Sequence, residues 1–335
     1  MRGNKPVDGI CTLGNDVVFD QIVALLNSIE VNQGKDTPVC IYPYDNRLER
    51  LSSEVAKRPN VTIYDDQASI DRWDSFVKAA WDTCTLAKKL WPNSYHRFGT
   101  HRRYGAFDGP FDRFVYMDAD TLLLKPLDRI FQQLESDDFV VFDFQHTDIS
   151  HVYTTNQEIL NRVFLDDHIN RKIFCSGFYG TKQNLFTPEE QQQVINLLKS
   201  GEEEVLYPFA PDQTLLNYLV MRLKKPASNL VFELPQEQVT GCCVTSPHFH
   251  EHEHQVTDKG VPLTYLHYIG IPASVMTRLC QGENLDVPYR DVFLYYRFLH
   301  EQELHPTFSG KPKPYNPEPT LLQRAKRKLK RMMHL

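Results

Sequence analysis

The segment 111–121 constrains the fold of this chain more than any other stretch. It reads Phe-Asp-Arg-Phe-Val-Tyr-Met-Asp-Ala-Asp-Thr, so the apolar run from Phe114 to Met117 stops abruptly at two aspartates. An unbroken apolar run with β-branched and aromatic members is typical of a strand that is buried on both faces. Side chains two positions apart on an extended chain point to one face, so Asp118 and Asp120 should leave the strand end side by side.

Two carboxylates at such a strand end indicate a cation site. Their negative charges repel each other unless a positive group lies between them. Mg²⁺ and Mn²⁺ prefer oxygen ligands and can also hold a phosphate. Ligands of open α/β sheets bind at the carboxyl ends of the strands. Asp118 and Asp120 therefore predict a metal–diphosphate site, and a solvated loop after a strand is the alternative.

The first third of the chain predicts a parallel sheet. Strands are expected at residues 7–13, 38–44 and 61–64, and helices at 17–31 and 48–57. Strands that alternate with helices in this way are typical of a doubly wound α/β fold.

The rest of the chain continues with both kinds of element. The further predicted helices are 74–90, one that starts near 126, 188–199, one that starts at 211, and 290–300. The further predicted strands are 139–144, 173–179, 230–234 and 264–269. Residues 91–109 are expected to form a basic loop, and 146–172 give no clear pattern.

The composition is that of an ordinary globular protein. The chain has 335 residues, of which 41% are hydrophobic and 24% charged, and a chain of this length can bury a large core. The net charge of −6 and the pI of about 6.1 argue against a nucleic-acid partner. Seven cysteines without a CxxC pair suit reduced thiols, and no stretch has the pattern of a signal peptide or a membrane span. A cytoplasmic protein is expected.

Five short motifs follow one another along the chain. They are Thr-Leu-Gly-Asn-Asp at 12–16, Tyr-Met-Asp-Ala-Asp-Thr at 116–121, Cys-Ser-Gly within 173–180, Asp-Gln at 212–213, and His-x-x-Gly at 267–270. In this order they resemble the retaining glycosyltransferases of family 8, the group of glycogenin and of the bacterial lipopolysaccharide galactosyl- and glucosyltransferases. The resemblance runs discontinuously from about residue 7 to residue 278.

The resemblance implies a fold, a donor and a metal. The fold is the GT-A fold, an α/β architecture with a Rossmann-like mixed sheet flanked by helices. The donor is a nucleotide sugar, most often UDP-linked, and the acceptor a glycan or a lipid-linked saccharide. The metal ligands are Asp118, Asp120 and His267. Two carboxylate oxygens and one imidazole nitrogen suit Mn²⁺ better than Mg²⁺.

The resemblance also implies the other site residues. The donor-binding positions are Thr12, Leu13, Asn15, Asp16, Arg102, Arg103, Asp118, Ala119, Ser176, Gly177 and Gly270. The catalytic positions are Gln213, beneath the anomeric carbon, and Asp212, on the donor hydroxyl groups. Because an amide is a poor nucleophile, front-face attack through an oxocarbenium-like state is favoured over a covalent intermediate. Asp212 could also be a plain helix cap, and Arg102 and Arg103 part of a solvated loop.

The chain departs from the family pattern at several positions. Ala273 stands where the family has a lysine that binds the diphosphate, and Cys175 stands where it has an asparagine. Arg278 and Lys259 are candidate replacements for the lysine. The aspartate-glutamine-glycine of the family becomes an aspartate-glutamine-threonine that ends at Thr214. These changes leave the identity of the donor sugar open.

Two other functions remain as alternatives. A catalytically degenerate protein that binds a nucleotide sugar is consistent with the departures from the family pattern. A sugar nucleotidyltransferase is disfavoured, because residues 14–16 lack the glycines and the basic side chains that hold a nucleoside triphosphate.

Residues 248–254 have the most unusual composition, His-Phe-His-Glu-His-Glu-His. In an extended segment the four histidines share one face and could bind Zn²⁺ together with the glutamates. A polar surface loop is the favoured interpretation, and a mobile flap near the donor is also conceivable.

The chain is expected to divide into a transferase domain at 1–304 and an extension at 305–335. Five prolines between 305 and 319 predict an extended linker. The segment 321–335 has six basic residues, no acidic residue and an apolar stripe. Such a segment is typical of an amphipathic helix that binds an anionic membrane surface, here the inner face of the membrane. A solvated tail is the alternative.

Overall fold

The computed structural model describes residues 6–93, 95–164 and 169–316. Their strands are β1 (Asp8–Gly14), β2 (Val39–Pro43), β3 (Val61–Ile63), β4 (Arg113–Met117), β5 (Thr121–Leu123), β6 (Phe139–Val141), β7 (Phe178–Lys182), β8 (Ala227–Asn229), β9 (His250–His252), β10 (Gln255–Asp258), β11 (Val261–Pro262), β12 (Tyr265–His267), β13 (Leu285–Asp286) and β14 (Lys313–Pro314). Seven of them form the central sheet in the order β3-β2-β1-β4-β7-β6-β8.

The α-helices flank this sheet. They are α1 (Phe19–Asn32), α2 (Glu49–Val55), α3 (Gln67–Trp81), α4 (Thr85–Leu90), α5 (Asp128–Gln133), α6 (Gln157–Val163), α7 (Ile169–Lys172), α8 (Pro188–Lys199), α9 (Pro211–Arg222), α10 (Leu230–Glu233), α11 (Ala273–Cys280) and α12 (Arg290–Arg297). The predicted α/β order of the first third is confirmed, from β1 to β3.

The strand directions bring distant parts of the chain to one edge. β1 runs parallel to β2 and β4, whereas β7 is antiparallel to β4 and β6. The amino end of β7 therefore meets the carboxyl end of β4, where Phe178 pairs with Met117. The N–H of Asp118 donates to the carbonyl of Gly177 at 2.8 Å, so the β4 aspartates and the Cys-Ser-Gly motif lie together.

Strand β4 is buried on both faces, as its sequence predicts. Phe114 and Tyr116 belong to a core cluster that includes apolar residues of α3, α8 and α9. Val115 and Met117 belong to a second cluster, on the side of α1, α2 and α5. All four of these side chains are 0% exposed. The central strand therefore holds the aspartates on a rigid base.

A smaller antiparallel pair lies beside the central sheet. β5 follows the aspartates directly and pairs with β12, in the register Thr121 with His267. A third core cluster, with residues of α11 and α12, packs beneath this pair.

The predicted helix at 74–90 is wrong in its start and in its continuity. α3 begins earlier, where Oδ1 of Asp66 accepts a hydrogen bond from the N–H of Ser69 at 3.1 Å. The helix then stops at Trp81 and restarts as α4. In the break, Oγ1 of Thr83 donates to the carbonyl of Ala80 at 2.6 Å, the local bonding by which such side chains compete with a helix. The predicted basic loop that follows contains a 3₁₀ helix, Thr100–Asp108.

Two predicted strands also differ from the structure. Most of the strand predicted at 230–234 is the short helix α10, because Oδ1 of Asn229 caps a helix start by accepting from the N–H of Val231 at 3.1 Å. The strand predicted at 173–179 begins only at Phe178. The N–H groups of residues 174–176 donate to side chains instead of to a neighbouring strand, and their acceptors are Asn217, Asp143 and Gln213.

The described part of the extension, up to residue 316, lies against the main body. β14 pairs with β13 in parallel, and the ring of Phe308 lies 5.0 Å from the guanidinium of Arg290. The basic segment predicted to bind a membrane, 321–335, lies outside the described residues. None of the helices in the described ranges is long and apolar enough to cross a membrane.

Candidate active site

Asp118, Asp120 and His267 lie together at the carboxyl end of β4. One ligand atom from each residue lies within 4.8 Å of the other two. Nε2 of His267 is 3.3 Å from Oδ1 of Asp120. The three side chains that the resemblance names as metal ligands are therefore neighbours in the structure. No second group of three possible metal ligands occurs among residues 6–93, 95–164 and 169–316.

The turn after β4 and the pairing of β5 with β12 explain this convergence. Thr121 closes the turn, because its N–H and its Oγ1 both donate to the carbonyl of Asp118, at 3.0 and 2.7 Å. Thr121 then lies opposite His267 in the strand pair. The N–H of Tyr268 donates to the carbonyl of Asp120 at 2.8 Å. Strand pairing therefore carries His267 to the aspartates.

Gly177 provides the space that two of these side chains occupy. A Cβ atom at this position would lie 2.8 Å from Cε1 of His267 and 2.9 Å from Oδ2 of Asp118. Both distances are too short for real atoms, so any larger residue would push the two ligand groups apart. Gly177, a predicted donor-binding residue, is therefore also favoured at this position for steric reasons.

The charges of the three groups depend on one another. Burial would lower the pKa of His267, but the negative charges of Asp120 and Asp118 raise it to about 9. Burial raises the pKa of Asp118, whereas His267 lowers the pKa of Asp120 against the effect of burial. A protonated imidazole is no metal ligand, so a bound cation has to displace this proton. The donor set of two carboxylates and one imidazole fits Mn²⁺.

Arg103 connects the aspartates of β4 with α9. It is 5% exposed, and its Nη2 lies 3.0 Å from Oδ1 of Asp118 and 3.0 Å from Oδ2 of Asp212. Nη1 donates to the carbonyl of Ser176 at 2.8 Å, and Nε to that of Thr100 at 3.1 Å. Although burial acts in the other direction, the two aspartates raise the pKa of Arg103 further above its ordinary value.

The predicted catalytic pair lies at the start of α9. The helix is capped by Ala210, so Asp212 is not the plain cap that was the alternative. Oε1 of Gln213 accepts from the N–H of Ser176 at 3.1 Å, and its Nε2 donates to the carbonyl of His151 at 2.9 Å. Oγ of Ser176 donates to Oδ2 of Asp212 at 3.4 Å. Both side chains are therefore held in one orientation.

Two cavities border the group of Asp118, Asp120 and His267, which is named here the metal-ligand group. The first, named here the β1 cavity, has a volume of about 520 Å³ and lies between the end of β1 and the aspartates. Its lining includes the predicted residues Leu13, Asn15, Asp118, Ala119 and Asp120. The second has a volume of about 460 Å³. It is named here the thiol cavity, and its defining lining residues are Asp143, Cys175, Cys242, Cys243 and His267.

Seven predicted donor-binding residues do not line either cavity, namely Thr12, Asp16, Arg102, Arg103, Ser176, Gly177 and Gly270. Thr12 is 0% exposed, inside the sheet. The carboxylate of Asp16 accepts from the N–H groups at the start of α2, at 2.9 and 3.1 Å. The guanidinium of Arg102 pairs with Asp74 at 3.0 Å and donates to the carbonyl of Tyr44 at 3.2 Å. The side chains of Thr12, Asp16 and Arg102 are used for packing and for hydrogen bonds within the protein.

Gly270 lies in the turn that follows β12. Its φ angle is +79°, in the left-handed region that favours glycine. An added Cβ would meet nothing within 4 Å, so the backbone angle and not crowding favours glycine here. The next residue, Ile271, lines the β1 cavity.

The basic residues at the β1 cavity are not those expected from the sequence. Arg278 pairs with Glu283 at 2.6 Å, and Lys259 lines the thiol cavity. Arg47 and Arg97 line the β1 cavity instead, together with Ala273. The positions of Arg47 and Arg97 in the sequence do not indicate a shared site, because loops from different parts of the chain bring them together.

Asp143 is a site residue that the sequence interpretation missed. Burial raises its pKa to about 7. Oδ1 accepts from the N–H of Gln145 at 2.6 Å, and Oδ2 from the N–H of Cys175 at 3.1 Å. A signal was present, since Asp143 follows the apolar run 139–142 as Asp118 follows the run in β4.

The histidine-rich segment forms a hairpin of β9 and β10. Glu253 and His254 form its turn with φ angles of 47° and 65°. The ring of His254 stacks on Tyr295 at 4.1 Å, and His248 lines the thiol cavity. The Zn²⁺ interpretation gains no support from the geometry of the described residues, in which these histidines form no ligand group.

The sequence matches no protein-family model and no curated protein. Among solved structures, galactosyltransferase LgtC in complex with donor and acceptor sugar analogues aligns with a TM-score of 0.51 at 13% identity, over 87% of this chain and 95% of LgtC. This similarity and the mixed sheet flanked by helices confirm the predicted GT-A fold.

Two further solved structures align over most of this chain but less well. The bifunctional glycosyltransferase WbbM has a TM-score of 0.48 at 14% identity, over 91% of this chain and 52% of WbbM. GlyE from Streptococcus pneumoniae has a TM-score of 0.46 at 14% identity, over 90% of this chain and 62% of GlyE. This chain therefore spans about half of WbbM.

Proposed function

We propose that this chain is a metal-dependent, retaining glycosyltransferase. It would transfer a sugar from a nucleotide donor, in our proposal a UDP-sugar, to a hydroxyl group of a glycan or lipid-linked saccharide. The observation that carries this proposal is the convergence of Asp118, Asp120 and His267 between two cavities, at the carboxyl edge of a GT-A sheet. The fold shared with LgtC, whose structure holds donor and acceptor sugar analogues, supports it.

The residues present fit a bound Mn²⁺ ion. Asp118, Asp120 and His267 would hold it, with Mg²⁺ as a possible substitute. When bound, the cation would neutralise the negative charge that develops on the diphosphate leaving group. Arg47 and Arg97 line the same cavity and would add positive charge there. These two arginines would compensate for Ala273.

The protein side chains would orient the donor sugar. Leu13, Asn15 and Ala119 line the β1 cavity, which we assign to the nucleotide. Asp212 lies in the first turn of α9, where its pair with Arg103 would hold the carboxylate in place for a hydrogen bond to a sugar hydroxyl. The anomeric carbon would then lie near Gln213.

Gln213 suits a supporting role at the reaction centre. Both ends of its amide are engaged, with Ser176 and His151, so it keeps its position while the bond to the leaving group breaks. An amide forms no stable covalent intermediate under these conditions, so we propose front-face attack by the acceptor hydroxyl. The thiol cavity is the proposed entry side for the acceptor, with Asp143 as a polar contact.

The test is the release of UDP from a panel of UDP-sugars in the presence of Mn²⁺, with the whole chain. Asp120→Asn should reduce turnover on the order of 100-fold or more, because a metal ion contributes several kcal/mol to such a transition state. The matched control is Asp71→Asn, an exposed aspartate of α3 whose carboxylate bonds only locally, to Gln67. Full activity of Asp120→Asn would refute the proposal. The anomeric configuration of the product, read by NMR, tests retention.

A second function is favoured by Ala273 and Cys175, which replace residues of the family pattern. A protein that binds the donor without transferring its sugar would show a thermal shift with a nucleotide sugar and Mn²⁺ but no release of UDP. A transferase shows both. No metal-dependent shift with any UDP- or GDP-sugar would contradict both functions.

A further inference from the structure

Cys242 and Cys243 bring two thiols together beside the metal-ligand group. Their Sγ atoms lie 3.7 Å apart. Neighbouring side chains of an extended chain point to opposite faces, so the backbone has to turn here for the two sulfurs to meet. Both residues line the thiol cavity. Cys242 is 8% exposed, whereas Cys243 is only partly buried.

The backbone of this pair also holds His267. The carbonyl of Cys242 accepts a hydrogen bond from the N–H of His267 at 2.7 Å. On the other side, the N–H of Val244 donates to the carbonyl of His267 at 3.1 Å. Cys243, between them, forms a parallel bridge with His267. A change in the backbone at 242–244 therefore acts directly on the position of the imidazole.

We propose that Cys242 and Cys243 form a vicinal dithiol site that a peroxide oxidises to a disulfide, and that this oxidation displaces His267 from the metal-ligand group. The first part concerns only the two thiols. The second part rests on the proposed function, because it needs a cation that His267 binds.

The oxidation is balanced with hydrogen peroxide as the oxidant. Cys243 is the more exposed thiol and attacks one peroxide oxygen, which gives a sulfenic acid at Cys243 and releases water. Sγ of Cys242 then attacks Sγ of Cys243, the S–S bond forms, and a second water leaves. The two thiols together lose two electrons and two protons, and the peroxide is reduced to two water molecules.

Closure of the disulfide has to move the backbone. The Sγ atoms are 3.7 Å apart, and an S–S bond requires about 2.0 Å. The bond would also close a small ring that includes the peptide between the two cysteines. That peptide contains the carbonyl of Cys242 that holds the N–H of His267. Closure of the disulfide would therefore shift the imidazole of His267 and leave Asp118 and Asp120 in place.

The other five cysteines fit such a site less well. Cys11, Cys40 and Cys84 are buried in the core. Cys280 is in α11, away from the thiol cavity. Cys175 lines the same cavity and is the competing partner for Cys243. Cys175 and Cys280 supply the matched controls.

The first experiment locates the dithiol in the whole chain. Phenylarsine oxide reacts with two neighbouring thiols to form two S–As bonds and one water, so intact mass should show one arsenical for each chain. Cys243→Ser should abolish this uptake, whereas Cys175→Ser and Cys280→Ser should keep it. After peroxide treatment and alkylation of free thiols, the peptide with residues 242 and 243 should be unalkylated and lack two hydrogens.

These measurements can also overturn the dithiol. Uptake that survives Cys243→Ser, or alkylation of both cysteines after peroxide, would refute it. A disulfide between Cys175 and Cys243 would refute it as well. Cooperative thermal unfolding of each variant confirms that a loss of uptake is not a loss of the fold.

The second experiment uses Mn²⁺ alone as the probe. Electron paramagnetic resonance of free Mn²⁺ measures its affinity for the reduced protein and for the peroxide-oxidised protein after the peroxide is removed. The oxidised protein should bind Mn²⁺ about 10-fold to 100-fold more weakly, the range for a lost supporting contact of a metal ligand. Equal affinities would refute the coupling to His267. If the reduced protein binds no Mn²⁺, the coupling and the proposed metal site both fail, while arsenical uptake still decides the dithiol.

Discussion

Two regions of the molecule contain many charged side chains next to a cavity, and they differ in how those charges are arranged. One is the metal-ligand group at the edge of the central sheet. The other, named here the α1 groove, is a cavity of about 610 Å³ lined by residues of α1, α2 and α12. In the α1 groove, opposite charges are paired, as in Arg58 with Glu54 at 2.8 Å and Arg297 with Glu301 at 2.7 Å.

The sheet edge has more acidic groups than basic partners. The carboxylates of Asp118 and Asp212 share the single guanidinium of Arg103, and Asp118 and Asp120 share one imidazole. Carboxylates that share a partner still repel each other unless a further cation compensates them, whereas the pairs of the α1 groove need no ligand. The larger cavity is therefore the weaker candidate for chemistry. The arrangement of charge, and not cavity size, distinguishes the two regions.

The largest expected effect lies at Arg103. Arg103→Gln leaves the carboxylates of Asp118 and Asp212 without their shared partner, and breaking a buried pair costs about 3–5 kcal/mol. We expect a clear loss of thermal stability and a fall in UDP release of at least about 100-fold, since both the metal ligand and the donor contact lose their orientation. Circular dichroism melting and the UDP assay measure the two effects.

The adjacent Arg102 provides the matched control for this prediction. Its guanidinium is partly exposed and pairs with Asp74. Arg102→Gln should therefore reduce activity by less than about tenfold, because an exposed pair contributes at most about 1 kcal/mol. If the two variants lose activity equally, the distinction between these neighbouring arginines is wrong.

A smaller effect is expected from pH. In the metal-free protein the pKa of His267 is raised to about 9, from an ordinary value of 6.5. Its proton has to leave when a cation binds, so the apparent affinity for Mn²⁺ should rise about tenfold for each pH unit between about pH 7 and about pH 8. A group whose pKa is raised in the folded state stabilises the protein at pH values below the ordinary pKa of that group. The metal-free protein should therefore lose stability as the pH rises towards 9.

Mn²⁺ titrations at several pH values check the expected rise in affinity. Thermal melts of the metal-free protein check the expected loss of stability. An affinity for Mn²⁺ that does not change with pH would show that His267 is neutral before the cation binds.

The smallest effect on activity is expected in the α1 groove. Arg58→Gln removes hydrogen bonds to Glu54 and Asn27, which should cost about 1–3 kcal/mol of stability. UDP release by the folded variant should stay at the level of the unchanged chain. Lys57→Gln, at a side chain that is 64% exposed, is the matched control and should change stability by less than about 1 kcal/mol. A loss of turnover in Arg58→Gln would mean that the α1 groove contributes to the reaction.

The sequence predicts the part of the site that depends on strand ends. Asp118 and Asp120 follow a run of apolar residues whose burial is local and regular. The alternation of strands and helices predicts the α/β class, and the GT-A fold was implied only by the order of the motifs. His267 could be found only through the order of motifs, because the β5–β12 pairing that places it joins distant segments.

Other features depend on tertiary packing and could not be predicted. Arg102 and Arg103 are adjacent residues of the same type, so the sequence cannot tell which of them faces Asp118. In the structure it is Arg103. Asp143 had a usable signal in its position after a strand, but no motif marked it. Residues 230–234 read as a strand because their apolar content is high, whereas the cap at Asn229 starts a helix.

The pairing of β5 with β12 also has a consequence for biosynthesis. A ribosome delivers β4 and β5 long before β12, so Asp118 and Asp120 emerge without the imidazole that completes the group. Until then β5 has no antiparallel partner, and the central sheet can form before the metal-ligand group does. Assembly of the metal-ligand group is therefore a late step of folding. Nascent chains that stop before β12 should have most of the sheet and no high-affinity cation site.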